Sequence, residues 1–338
     1  MVDRDDTSSY ARAGVDYALV DPGKILAQRA AGRTAGALSA RGATEIEETR
    51  GESAYVVDLG THLVSSVTEA LGTKNLVADA VRRRGGRTFY DHIAIDTVAT
   101  ILNDLVSVGG VPLCITAYWG SGSSEWLADG ERMADLVNGW ESACRAAGCS
   151  WGGGETQVLT GIIDAAASVL GGSAVGLLAS REQLLVGSRI RAGDVMLCAA
   201  ASGIHANGLT LARAIAAQLP EGYDTPVPGD EKSRGFGEVL LDPTPLFGPL
   251  VAALQREGVD LHYAVHVTGH GWRKLMRAKP AFTYRVERLP PVPPVLAFLR
   301  EKANMSDADA YGTFNMGAGY VLFVPASERE RAVAVAEQ

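Results

Sequence analysis

No stretch of this chain is apolar and uninterrupted for long enough to span a bilayer. Its polar start, Met1-Val2-Asp3-Arg4-Asp5-Asp6, lacks the apolar core of a secretory signal. The four cysteines, Cys114, Cys144, Cys149 and Cys198, are scattered with no C-x-x-C pair. That spacing excludes a zinc ribbon or a thioredoxin-like redox motif and fits reduced thiols in a core. A cytoplasmic protein is expected. Positive charge is also short: 31 Lys and Arg against 39 Asp and Glu leave a formal charge of −8. General nucleic-acid binding is therefore not expected, nor is a membrane partner. The G-x-S-x-G nucleophile elbow, the G-x-x-x-x-G-K-[ST] phosphate loop and the G-x-G-x-x-G dinucleotide fingerprint are all missing, which removes three common templates.

What is present is ordinary globular material, 47% hydrophobic and 21% charged. A length of 338 residues suits two domains, each with its own core. Strands are expected at 54–59, 63–68, 168–178, 194–200, 262–267, 282–287 and 320–324, with a short buried one at 149–151. Helices are expected at 93–108, 131–147, 209–218 and 244–257, and from 295 and 327. Strands and helices interspersed in both halves indicate mixed α/β layers. The polar, basic stretch 180–192 places the domain boundary, giving 1–182 and 183–338.

Chemistry collects in small-residue turns. Gly152-Gly153-Gly154-Glu155-Thr156 reads either as a plain loop or as a metal–nucleotide loop, because a carboxylate beside phosphate-cradling amides calls for a divalent cation. Thr68-Glu69-Ala70-Leu71-Gly72-Thr73-Lys74 reads as a surface turn or as one that meets a phosphate through Thr73 and Lys74 with Glu69 on a cation. On the 93–108 helix, Asp96 and Asn103 share one polar side with Asp104 nearby. Together with Asp91 they could be a solvated face or oxygen ligands for Mg²⁺. His205, in a Gly-flanked turn before a helix, either caps that turn or donates to a phosphate. His270 carries the same two readings, and the loop 311–319 reads as structural. Acids, hydroxyls and one lysine set on turns, without a nucleophile triad, suit phosphoryl transfer.

The order of these pieces resembles aminoimidazole ribonucleotide synthase (phosphoribosylformylglycinamidine cyclo-ligase) over nearly the whole chain. The matching residues are Tyr10 with Ala13-Gly14-Val15-Asp16, Gly72-Thr73-Lys74, Ile95-Asp96 with Asn103-Asp104-Leu105, and Gly153-Gly154-Glu155-Thr156. In the second half they are Ser202-Gly203, His205, Asn207-Gly208, Leu241 with Pro243-Thr244, Thr268-Gly269 with Gly271, and Thr313-Phe314-Asn315 with Gly317 and Gly319. The resemblance implies a mixed α/β (α+β), two-domain fold. Its N-terminal sheet domain would dimerise and its C-terminal α/β domain would help enclose ATP. It implies ATP-dependent ring closure of formylglycinamidine ribonucleotide in de novo purine synthesis, by a homodimer acting on a small molecule.

By that likeness Glu69, Lys74 and His205 would be catalytic. Gly72, Thr73, Lys74, Asn103, Gly153, Gly154, Thr156 and Asn207 would bind the nucleotide, and Asp96, Asp104 and Glu155 would hold Mg²⁺. The chain departs from the family pattern at Glu69, where aspartate is usual, at 157–160, at Gln28, where lysine is usual, and at His270 in a loop normally all glycine. Another acceptor within the same ATP-dependent superfamily, or a nucleotide-binding paralogue without catalysis, are the alternatives. The absence of cysteine before Cys114 and after Cys198, and of a Gly-Asp-Asp motif, disfavours three relatives: selenophosphate synthetase, the hydrogenase-maturation protein and thiamine-phosphate kinase.

Overall fold

In the computed structural model, residue 14 and residues 17–338 are described; Tyr10, Ala13, Val15 and Asp16 of the resemblance lie outside them. Helix α1 (Tyr17–Gly32) precedes a six-stranded sheet built from β1 (Thr44–Glu45), β2 (Tyr55–Asp58), β3 (Leu63–Ala70), β4 (Val111–Ser121), β5 (Ser150–Val158) and β6 (Ser168–Leu178). Its order is β1-β2-β3-β6-β4-β5, antiparallel except for the β4–β5 pair. Between these strands run α2 (Lys74–Arg83), α3 (Tyr90–Val106) and α4 (Gly130–Ala146).

The second half contributes a smaller antiparallel sheet of β7 (Val195–Ala200), β8 (Tyr263–His266) and β9 (Ala318–Val324), in the order β7-β9-β8. Its main helices are α5 (Leu209–Ala216), α6 (Gly248–Arg256), α7 (Pro294–Lys302) and α8 (Arg329–Ala336).

Period-two burial gives the large sheet two different faces. Leu63, Ser65 and Val67 of β3 are buried and alternate with partly or fully exposed Val64, Ser66 and Thr68. The buried face packs on α3, which in turn packs on α4 through Leu136, Trp140 and Cys144. The other face is open: Val111, Leu113 and Val169 are 42%, 50% and 43% exposed. At its edge Trp119, Trp140 and Trp151 form a mutual ring cluster, with centroids 5.6–5.9 Å apart.

Three expectations change. The glycine run is no loop: it lies inside β5, the edge strand, and residues 152–156 are exposed, where a short buried strand ending at 151 was expected. The reason is close approach beside an irregularity in β4. A Cβ on Gly154, whose φ is +159°, would sit 2.0 Å from the Ala117 carbonyl oxygen. The strand expected at 282–287 does not form. Phe282 and Tyr284 still pack on the second domain's core, Tyr284 with its ring against Phe323 and Phe282 against Tyr284, but the backbone joins no ladder. The helix expected from 244 starts only at Gly248, because side chains of α3 take the amides of Thr244 and Phe247 first.

A candidate active site at the domain seam

Helix α3 is buried on nearly every side, and its polar stripe faces neither solvent nor an open metal cluster but the second domain. Asp96 Oδ1 accepts from the Thr244 amide at 2.9 Å and from its hydroxyl at 2.5 Å. Its Oδ2 pairs with Lys74 Nζ at 2.6 Å, and both side chains are fully buried. Lys74 also donates to the Asp242 carbonyl at 2.8 Å. Asn103 Oδ1 accepts from the Phe247 amide at 2.8 Å, while its Nδ2 donates to the Pro245 carbonyl at 2.9 Å. Residues 242–247 are thus held onto α3 by groups that would otherwise be costly to bury. Asp91, by contrast, lies nearer the surface and pairs with Arg87.

Next to Asn103 on α3, Asp104 lines a cavity of about 300 Å³ between the two halves of the chain. Glu69, Gly72, Thr73, Thr100, Asn207, Thr210, Thr268 and Lys274 share its walls. Two helices begin there. Gly72 (φ +81°) and Thr73 lead into α2, and Gly208 (φ +87°) leads into α5, with the Thr73 and Thr210 hydroxyls 3.5 Å apart. Helix starts carry unpaired amides and partial positive charge, so both favour an anion.

Facing them, Asp104 Oδ1 meets His266 Nδ1 at 2.8 Å. Half-buried Lys274 donates to the Thr268 hydroxyl and, at 3.3 Å, to the His266 carbonyl. Burial by itself would raise the Asp104 carboxyl, but the Lys274 charge and the His266 hydrogen bond hold it below the usual range. Burial, then the like charge of Asp104, pushes Glu69 up to about 7. Burial lowers Lys274, against the pull of Asp104.

The expected site residues therefore divide by position. Glu69, Gly72, Thr73, Asp104 and Asn207 meet at the cavity, whereas Lys74, Asp96 and Asn103 sit behind it in the seam. His205 is buried with φ +61°, and its Nε2 accepts from the Ser202 amide at 3.2 Å. Burial, with the charges of His266 and Lys74, holds it well below its ordinary pKa and so neutral. It packs where a Cβ on Gly319 would come within 2.8 Å of its ring, and it does not line the cavity. Asn315, from the 311–319 loop, donates to the Gly203 carbonyl at 2.9 Å and so supports the same turn.

Glu155, Thr156, Gly153 and Gly154 lie on β5. Through the register Ala70–Gly171–Tyr118–Glu155, Glu155 stands three strand spacings, about 14 Å, from the end of β3. It is on the open face, opposite to Glu69, and accepts from the Thr156 amide at 3.0 Å. Lys274 and His266 were not foreseen. The available signal for Lys274 was a lysine embedded between Trp272 and Leu275, six residues after the Thr268-Gly269 turn.

The cavity at the two-domain seam thus combines two helix starts with two carboxylates and a lysine. Residues 51–178 match the family described as AIR synthase related protein, N-terminal domain, and residues 191–338 match AIR synthase related protein, C-terminal domain. The chain belongs to the AIR synthase family. It is 34% identical to the phosphoribosylformylglycinamidine cyclo-ligase of Synechococcus elongatus over 79% of this chain and 76% of that one. It is 29% identical to the enzyme of the same name from Methanobrevibacter smithii over 96% of this chain and 89% of that one. Such relatives make it an enzyme of the ligase class. Among solved structures, AaThiL complexed with AMPPCP and TMP shares the fold with a TM-score of 0.53 at 16% identity, over 82% of this chain and 80% of that one. Among the described residues, no helix is long and apolar enough to cross a membrane.

Proposed function

We propose that the chain is an ATP-dependent cyclo-ligase that closes formylglycinamidine ribonucleotide to aminoimidazole ribonucleotide, as the names of its relatives suggest. The observation that carries this is the cavity, where two helix starts face Glu69 and Asp104. The donor set fits a magnesium–phosphate complex. Two neighbouring carboxylates repel until a cation lies between them, and Mg²⁺ typically takes one or two carboxylates and fills its remaining positions with phosphate oxygens and water.

Glu69 and Asp104 would hold the metal, which when bound neutralises phosphate charge. The amides at Thr73 and Gly208 would take phosphate oxygens, and Lys274 would add a fixed positive charge beside them. The γ-phosphoryl group passes to the formyl oxygen. An amidine-side nitrogen then attacks the formyl carbon, the C–O bond breaks, and phosphate leaves with ADP as the other product. His266 keeps Asp104 in one orientation throughout. The purified protein with ATP, Mg²⁺ and formylglycinamidine ribonucleotide should release ADP in proportion to substrate. ADP release indifferent to that substrate would reject the assignment.

The open sheet face supports a homodimer. Val111, Leu113 and Val169 form an exposed apolar group on it, and Glu155 and Gln157 share that face. Glu155 then acts at a nucleotide only if a second copy covers this face, whereas Thr156, in register with buried Trp119, points to the other one. Leu113→Arg should give a monomer by sedimentation at micromolar concentration; an unchanged dimer would place the interface elsewhere.

Metal binding should follow Glu69. A carboxyl that titrates at about 7 must lose its proton to bind Mg²⁺, so affinity should rise with pH up to about 7 and level off above. The metal-free fold should show the opposite trend. A raised carboxyl pKa favours the folded state at low pH, and that contribution disappears as pH climbs from 4.5 to about 7. Mg²⁺ titrations and thermal midpoints across pH 5–8 read both trends, and Glu69→Gln should flatten them.

A further inference from the structure

The helices that open at the first cavity line a second one at their other ends. It has a volume of about 610 Å³ and lies between the later turns of α2 and α5, closed by residues 164–167 and Tyr223. That volume accommodates a nucleotide-sized ligand. We propose that this second cavity binds a nucleoside monophosphate, with the phosphate between Arg83 and Arg213 and a sugar or base donor on Asp79.

Three observations support that assignment. First, the arginines ending α2 are unequal. Arg82 is taken by Asp129 and Glu131, and Arg84 by Asp224, whereas Arg83 has no carboxylate within ion-pair reach among the described residues and acts on Asp79 only through space. Arg213, from α5, lies near the Tyr223 hydroxyl, whose pKa burial raises against the lowering effect of the Arg213 charge, and has no carboxylate partner among the described residues either. Two guanidinium groups on one cavity without a direct carboxylate contact suit a phosphate, although Asp79 and Asp164 line the same cavity.

Second, Asp79 is only 5% exposed. Its Oδ1 accepts from Tyr90 and Arg132, its Oδ2 is buried with no hydrogen-bond partner among the described residues, and Asp79 is one of the residues that line this cavity. Such an oxygen is costly unless a donor reaches it, and phosphate offers none at neutral pH, while an amine, ring N–H or ribose hydroxyl does. Third, the lining also includes the small apolar side chains of Ala80, Ala166 and Ala216 and the Tyr223 ring, a surface on which a planar base can stack.

The two cavities share α2 and α5, whose first turns meet where the Thr73 and Thr210 hydroxyls lie 3.5 Å apart. The site does not depend on the reaction proposed above.

The test is calorimetric titration of the full chain with AMP, GMP and inorganic phosphate, in the presence of saturating AMPPCP and Mg²⁺. One saturable event per chain is expected for a nucleotide. The Arg83→Gln/Arg213→Gln double variant should weaken it about tenfold or more, as loss of charge-assisted hydrogen bonds implies. Asp79→Asn should weaken the nucleotide but not phosphate. The proposal is overturned by no saturable nucleotide binding at millimolar concentration, by binding that the arginine pair does not change, by phosphate binding as tightly as the nucleotides, or by displacement of AMPPCP. If AMPPCP does not bind, that failure belongs to the proposed reaction, and the arginine pair still reads the second cavity in its absence.

Discussion

Replacing Lys74 by methionine should destabilise the fold by about 3–5 kcal/mol, the range for removing one partner of a buried ion pair. Lys74 and Asp96 are both fully buried, 2.6 Å apart, and the substitution leaves a carboxylate with one oxygen uncompensated in the protein interior. The Asp242 carbonyl loses its donor as well. Urea unfolding of the ligand-free protein measures the effect, and adding Asp96→Leu should recover part of it, because an apolar pair of similar volume avoids the isolated charge. Should Lys74→Met keep its unfolding midpoint and lose only nucleotide affinity, the lysine is a phosphate ligand and not a seam residue.

Asp104→Asn is expected to act on turnover and not on folding. Asparagine keeps the shape and can still meet His266, but it removes the charge that faces the cavity. Loss of one such electrostatic contact costs roughly 10²–10³-fold in kcat elsewhere, and the same is expected here with Mg²⁺ saturating. The Mg²⁺ concentration for half-maximal rate should rise, and the Glu69 carboxyl should return towards its ordinary value because its like-charged neighbour is gone. A variant with normal metal dependence and normal rate would remove Asp104 from the site. Lys274→Met, measured in parallel, separates the contribution of the lysine from that of the acid.

How much of this could be read in advance depended on range. Gly72 and Thr73 before α2, and Asn207 and Gly208 before α5, are local turn-to-helix signals, and the fold brings them together at one cavity. The polar stripe on α3 was visible at helical spacing, but its destination was not. Asp96 and Asn103 bind residues some 140 positions further on, a distance at which periodicity carries no information. The glycine run suggested a loop because glycine is depleted in strands. Its use in β5 depends on the Ala117 carbonyl of a neighbouring strand, a contact made only after folding. Lys274 escaped notice for a similar reason, since its partners Thr268 and Asp104 come from two different domains.

The hydrogen bonds from Asp96 and Asn103 to the 244–247 backbone carry one more implication. A seam fastened through main-chain amides on one side and a rigid helix on the other resists hinge opening, since the halves cannot part without stranding several polar groups at once. The catalytic geometry is then fixed during folding and not during ligand entry. If a nucleotide binds the first cavity as proposed, its binding should be of the lock-and-key kind, with little conformational change coupled to it.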